Sequence, residues 1–316
     1  MVIAHEEPLM ARLIGLTGAT GLIGKELLKS LLKNGDQVLV IGRNPEPQFR
    51  SGFDLPVQYV QWSNQSETPK FGSVQFDAFV HLAGEPIAGG RWTPAFKRKL
   101  QLSRIAATEN LVHAINASQK KCKVFISASA VGIYGNRADE ILTESSSLSA
   151  DFLGQLCQDW ETQAKKVTCR SVQLRFGVVL ARQGGALEKL LPVFKKGLGG
   201  VLAKGDQYMS VIHVEDVVRV IQFALDRADL SGPVNAVCQE SVTNREFTRV
   251  LADTLNVPAW FKVPTFALKL ALGEQSRILT DSQRVRPAVL QSLGFEFKYA
   301  SVESALRNIL RGAYPR

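Results

Sequence analysis

Thr17-Gly18-Ala19-Thr20-Gly21-Leu22-Ile23-Gly24 spaces three glycines as GxxGxxG, behind a short apolar run at 12–17 and ahead of a helical pattern from Leu22 to about Lys33. Gly18 allows a tight turn, Gly21 lets backbone approach a pyrophosphate, and Gly24 lets helix and strand pack closely. The first amides of the helix, around Leu22 and Ile23, then offer unpaired N–H groups and a positive dipole end to phosphates. Thr20 adds a hydroxyl within the same turn. An ordinary βα turn can carry the same glycines, so the motif gains its meaning from the strands around it.

A second chemical signal follows the next strand. Binders of the unphosphorylated dinucleotide usually place Asp or Glu about 20 residues beyond the glycine motif, on the ribose 2′-OH. Here the strand ends in Ile41-Gly42-Arg43-Asn44. No acid is present, and Arg43 offers a planar cationic fork suited to a 2′-phosphate. This predicts NADP(H). A solvated surface arginine is the plainer alternative. His81-Leu82-Ala83-Gly84 ends a later strand, and the backbone of Leu82, Ala83 and Gly84 is expected to border the adenosine half of such a ligand. His81 itself reads as a packed core histidine.

These residues need a scaffold, and the pattern supplies one. Nearly continuous apolar runs at 37–42, 77–84 and 122–129 predict strands covered on both faces, with further strands at 57–62 and 171–180. Helical patterns fall at 94–118 and 152–166. Alternation of strand and helix predicts a doubly wound α/β fold with a parallel sheet. Beyond about residue 183 glycines break the rhythm, and helices are expected at 214–228 and 243–255, the latter capped by Thr243 or Asn244. Prolines 258, 264 and 287 cut the remainder into short helices. The expected organisation is a dinucleotide-binding domain over 10–183, with some later segments returning to it, and a smaller, mostly helical lobe over 184–316. Residues 1–10 read as a short extension.

Composition narrows the function classes. The 316-residue chain is 45% hydrophobic and carries a formal charge of +9. Its lysines and arginines are scattered, in short pairs such as Lys120-Lys121 and Lys195-Lys196, without a nucleic-acid motif. A small anionic ligand is the expected partner, and nucleic acid is not. The four cysteines lack metal-ligand spacing and read as reduced thiols of a cytoplasmic protein, with no metal site. No apolar run reaches the roughly 18 residues of a membrane span, and no membrane partner is expected.

TGATGLIG, HLAGE, SASAVGIYG and RFGVVL, in that order, resemble the extended short-chain dehydrogenase/reductase superfamily. HLAGE with Arg91-Trp92, then DFLGQLCQDWE, PAWFKVP, LGE at 272–274, QRVRP and LGFEF, resemble its atypical "epimerase family protein" branch. Within that branch, 258–305 is similar to the C-terminal domain of unknown function. The likeness spans about residues 12 to 310. It implies an NADP-dependent oxidoreductase or epimerase acting on a small molecule, and it admits a homodimer.

The superfamily's proton-transfer apparatus is a Tyr-x-x-x-Lys pair with a nearby serine. Ser129 matches the serine, but no tyrosine here has lysine four residues on, and Leu153 and Cys157 fall at the pair's positions. Tyr134, after Ser129, and Glu85, at the C-terminal edge of the sheet, are the candidate replacements. By resemblance, Arg104 and Arg175 lie near the cofactor or the substrate cleft. Trp92, Trp160 and Trp260 read as packing residues, and His213 and Asp216 as structural. The missing pair leaves a second reading open, a non-catalytic NADPH-binding sensor or scaffold.

Overall fold

The computed structural model describes residues 11–52, 55–63, 66–119 and 122–310. The expected extension at 1–10 and the Lys120-Lys121 pair lie outside the described residues. Seven strands form one sheet: β1 (Leu13–Thr17), β2 (Gln37–Gly42), β3 (Gln58–Gln61), β4 (Ala78–His81), β5 (Val124–Ala130), β6 (Arg170–Phe176) and β7 (Gly232–Ala236). Their order is β7-β6-β5-β4-β1-β2-β3, and every pairing is parallel. The order reverses between β1 and β4, and in such sheets ligands bind in the crevice beyond the strand ends at that point.

The helices that cover the sheet follow from apolar spacing. On one face, α1 (Leu22–Lys33) presents Leu27, Leu28 and Leu31 to Leu16, Val40 and Val80. On the other, Phe79 and Phe125 meet Leu111 and Ile115. Neighbouring strand residues thus point into opposite layers, which is why these strands read as continuous apolar runs.

The expected helix at 94–118 has a defect in its middle. It comprises α2 (Pro94–Gln101), a π-turn at Leu102–Ala106, and α3 (Ala107–Asn116). Such single-turn insertions cluster at functional sites. The next helix, α4, spans Phe152–Ala164 and is capped by Asp151, whose carboxylate accepts from the Gly154 amide.

The expected strand at 171–180 is two strands. β6 ends at Phe176, and Val178–Leu180 leaves the sheet to pair with Val211–His213. Gly177 is the break. A Cβ there would stand 2.4 Å from the Ser210 carbonyl oxygen, so only glycine fits between the two pairings. β7 was not anticipated. It is an edge strand, where a residue such as Pro233, which cannot donate to a ladder, is tolerated.

The remaining segments are α5 (Gly185–Lys195), α6 (Val214–Asp226), α7 (Asn244–Leu255), α8 (Thr265–Leu272) and α9 (Val302–Leu310). Thr243 caps α7 in a reciprocal capping box with Glu246. His213 caps α6, its Nδ1 accepting from the Glu215 amide at 3.0 Å. Asp216, fully buried on α6, accepts the backbone amides of Lys298 and Tyr299, each at 2.8 Å.

Candidate functional site

The glycine turn is built as its spacing requires. Gly18 has φ +74°, and a Cβ there would stand 2.7 Å from the backbone of Leu82. A Cβ on Gly24 would fall 2.1 Å from the Gly18 carbonyl oxygen. Gly21 is the N-cap of α1; no side chain caps the helix, and its first turn holds no acid. The first amides of α1 therefore have no intrahelical acceptor, and the helix starts at Gly21, which lines the crevice.

That crevice is a cleft of about 350 Å³ at the reversal point of the sheet, with Gly18 to Gly21, Gly42 to Asn44 and Leu82 to Gly84 on its walls. Tyr59 and Trp62 close the β3 side. Tyr59 stacks on Phe49 with ring centroids 4.7 Å apart and donates its hydroxyl to the Asn44 carbonyl at 2.6 Å. This ties down the loop that carries Arg43. The Arg43 side chain is itself largely exposed, and its Nη1 lies 3.7 Å from Glu85 Oε2 across the mouth. Alternation in VQYVQW was the signal for Tyr59 and Trp62, which the sequence reasoning did not assign to the site.

The loop after β4 is held from below. The Glu85 amide donates to Ser103 Oγ at 3.0 Å, and Arg104 Nη2 donates to the Glu85 carbonyl at 2.9 Å. Both gripping residues belong to the π-turn. Arg104 lies over the Trp160 ring, 5.1 Å from its centroid, and a Cβ on Gly84 would meet its guanidinium at 3.4 Å. Burial lowers its pKa. Arg104 thus stands behind the cleft wall, bracing Gly84 and Glu85. His81 lies deeper still, fully buried between Thr17 Oγ1 at 2.7 Å and Thr108 Oγ1 at 3.0 Å. Burial pushes its pKa down to about 3, so it is a neutral core residue.

The structure corrects the expectations for Tyr134 and Arg175. Both lie in a closed polar network beneath the ends of β5 and β6. Arg175, almost fully buried, donates to both carboxylate oxygens of Glu161, at 2.8 and 2.9 Å. Its Nη1 donates to the Tyr134 hydroxyl at 2.8 Å, and that hydroxyl donates to Asn235 Oδ1 at 2.7 Å. Tyr134 is 0% exposed, and burial raises its pKa. It has no open face toward a ligand, and all three nitrogens of Arg175 donate to protein groups. Ser129 joins the same network, donating to Glu161 Oε1 at 2.8 Å with its side chain buried. Of the three candidate proton-transfer residues, only Glu85 comes near the cleft, between the lining residues Gly84 and Pro86 and beside Arg43. Cys157 is buried and its thiol is pushed up to about 12, which keeps it protonated. Glu161 and Asn235 are the members of this network that the sequence did not point to. The appearance of Glu161 in DWE, 32 residues past Ser129, carries no local pattern.

Trp92 and Trp160 are packed, as expected, whereas Trp260 stands 88% exposed. Among the described residues no helix is long and apolar enough to cross a membrane.

Comparison with known proteins agrees with this architecture. The model of the NAD dependent epimerase/dehydratase family matches residues 14–237, and that of a domain of unknown function, DUF1731, matches 263–309. The chain is 35% identical to the Arabidopsis thaliana "Epimerase family protein SDR39U1 homolog, chloroplastic", over 98% of this chain and 90% of that one. It is also 35% identical to the Bacillus subtilis "Epimerase family protein YfhF", over 94% and 97%. Among solved structures, that of human epimerase family protein SDR39U1 (isoform 2) with NADPH superimposes with a TM-score of 0.86 at 28% identity, covering 95% of this chain and 99% of the other. The fold built on seven parallel strands is thus shared with that structure, and the chain belongs to the NAD dependent epimerase/dehydratase family.

Proposed function

We propose that the cleft holds NADP(H) in preference to NAD(H), and that the protein is an oxidoreductase or epimerase acting on a small molecule without the Tyr-x-x-x-Lys pair. The observation that carries the cofactor choice is Arg43, exposed at the end of β2 on the cleft wall with no acid beside it on that strand end. The human relative of known structure was solved with NADPH, which supports the same choice. Gly18, Thr20, Gly21 and Gly24 shape the turn, and the amides at Leu22 and Ile23 receive the diphosphate. Leu82, Ala83 and Gly84 border the adenosine, and Arg43 takes the 2′-phosphate. Arg104 positions the Gly84–Glu85 wall. The nicotinamide supplies hydride chemistry when bound. The proposed domain of 10–183 carries this cleft, with β7 returning to its sheet from the later part of the chain.

Calorimetric titration of wild type and Arg43→Ala with NADPH and NADH tests the reading. Loss of one charge-assisted phosphate contact should weaken NADPH by about 10- to 100-fold and leave NADH unchanged. Equal NADPH affinity in the two proteins would remove Arg43 from the role.

A second reading, a non-catalytic NADPH-binding sensor, is favoured by one observation. The hydroxyls of Ser129 and Tyr134, where proton transfer was expected, are committed to buried partners. Oxidation of NADPH over a panel of carbonyl compounds separates the two. Turnover supports the enzyme, and tight binding with no turnover supports the sensor.

A further inference from the structure

Two short segments share an unusual surface. Among the described residues, six of the ten large exposed hydrophobics lie in them: Val193, Leu198, Trp260, Phe261, Phe266 and Leu270. Trp260, Leu270 and Phe266 are the most exposed, at 88%, 81% and 74%. Single exposed apolar residues are ordinary, but a contiguous group marks an interaction surface. The two segments touch. Phe261–Val263 pairs with Gly200–Leu202, with Phe261 opposite Gly200. A Cβ on Gly197 would stand 3.8 Å from Pro258. Phe266 and Leu270 are four residues apart on α8 and so share one face.

Lysines are the only charged residues within the two segments, with the acids Glu188, Asp253 and Glu274 just beyond their ends. Residues 189–204 and 254–273 hold six lysines and no Asp or Glu. Lys196, Lys262 and Lys269 are exposed among the apolar side chains. A second copy meeting this face across a two-fold axis would bring these lysines against one another, which disfavours a homodimer here. Nucleic acid would suit the charge and the three aromatics, but half of the apolar set, Val193, Leu198 and Leu270, is aliphatic and offers bases no stacking face. Exposed Trp and Phe with lysines whose stems can lie along apolar surface fit the boundary layer of an anionic bilayer.

We infer that the surface formed by the 193–200 and 258–270 segments adsorbs peripherally to anionic lipid membranes. No spanning helix is needed for this, because adsorption buries only side chains at headgroup depth. Arg91 ties the surface to the cleft region, donating to the carbonyls of Leu270 and Ala271 at 3.0 and 2.7 Å. The bound face therefore presents the loop that follows Glu85 close to the lipid.

Trp260 makes the test direct, since Trp62, Trp92 and Trp160 are all buried. The full chain is mixed with phosphatidylcholine vesicles, with and without phosphatidylglycerol, and followed by co-sedimentation and tryptophan emission. Expected are binding only to the anionic vesicles, a blue shift of emission that is absent in Trp260→Phe, and reversal by salt. The double variant Lys262→Glu/Lys269→Glu, checked for folding by circular dichroism, should bind about tenfold or more weakly. Failure to sediment with anionic vesicles overturns the proposal. So does vesicle binding that is unchanged in Trp260→Glu and in the lysine variant. Self-association abolished by Trp260→Glu without vesicle binding, or salt-sensitive oligonucleotide binding without it, assigns the surface to another partner and equally overturns it.

Discussion

The cleft beside β1 and the network beneath β5 and β6 are both polar, yet they are built in opposite ways. The cleft is made largely of backbone and glycines, open to solvent, with one exposed cation at its lip. The network is made of side chains from five separate segments, closed to solvent, each group satisfied by another. The first geometry waits for a ligand. The second leaves nothing over for one. A serine and a tyrosine at the strand ends that usually carry chemistry have here been enclosed around the Glu161–Arg175 pair, and the comparison separates what binds from what holds.

The largest test of that division strikes the network. Glu161→Gln leaves the Arg175 charge buried without its carboxylate and should cost about 3–5 kcal/mol of stability, read by urea unfolding. A loss below 1 kcal/mol would mean that the pair contributes no cohesion. Gly24→Ala strikes the cleft instead. Its Cβ has no room against the Gly18 carbonyl, so the turn must open and dinucleotide affinity should fall by about 100-fold, while most of the fold's stability remains. Unchanged affinity by calorimetry would show that the turn does not grip the ligand.

Tyr134→Phe sharpens the comparison from the other side. It removes one hydroxyl between Asn235 and Arg175, for an expected loss of about 1 kcal/mol, and should leave turnover on any identified substrate intact. A collapse of turnover with stability preserved would return Tyr134 to the chemistry. Glu85→Gln is the mildest change. It releases Arg43 from a competing carboxylate and should tighten NADPH by about threefold. Weaker binding in that variant would show that Glu85 helps to hold the ligand.

How legible each region was follows from the same contrast. The cleft is local in sequence, so eight residues from Thr17 to Gly24 and the Gly42-Arg43 strand end announced it. The sheet was legible because strands covered on both faces carry unbroken apolar runs. β7 escaped notice because Gly232-Pro-Val-Asn-Ala is short, interrupted by a polar Asn and headed by residues that usually end strands. The π-turn at Leu102–Ala106 was invisible because Leu-Ser-Arg-Ile-Ala continues the helical pattern on either side. The network could not be read at all. Its members span Ser129 to Asn235, and nothing in their spacing says that they meet. Trp260 was misread for a related reason: a large aromatic is usually buried, and only the finished surface shows that nothing covers this one.

The Asp216 carboxylate carries one last consequence. It sits in the middle of the molecule, and two of its acceptor positions are filled by amides 82 and 83 residues further along the chain. Its third partner is the Arg219 guanidinium of the same helix, at 3.1 Å. One buried carboxylate thus fastens the DUF1731 segment, by its backbone, to the helix that packs beside α1.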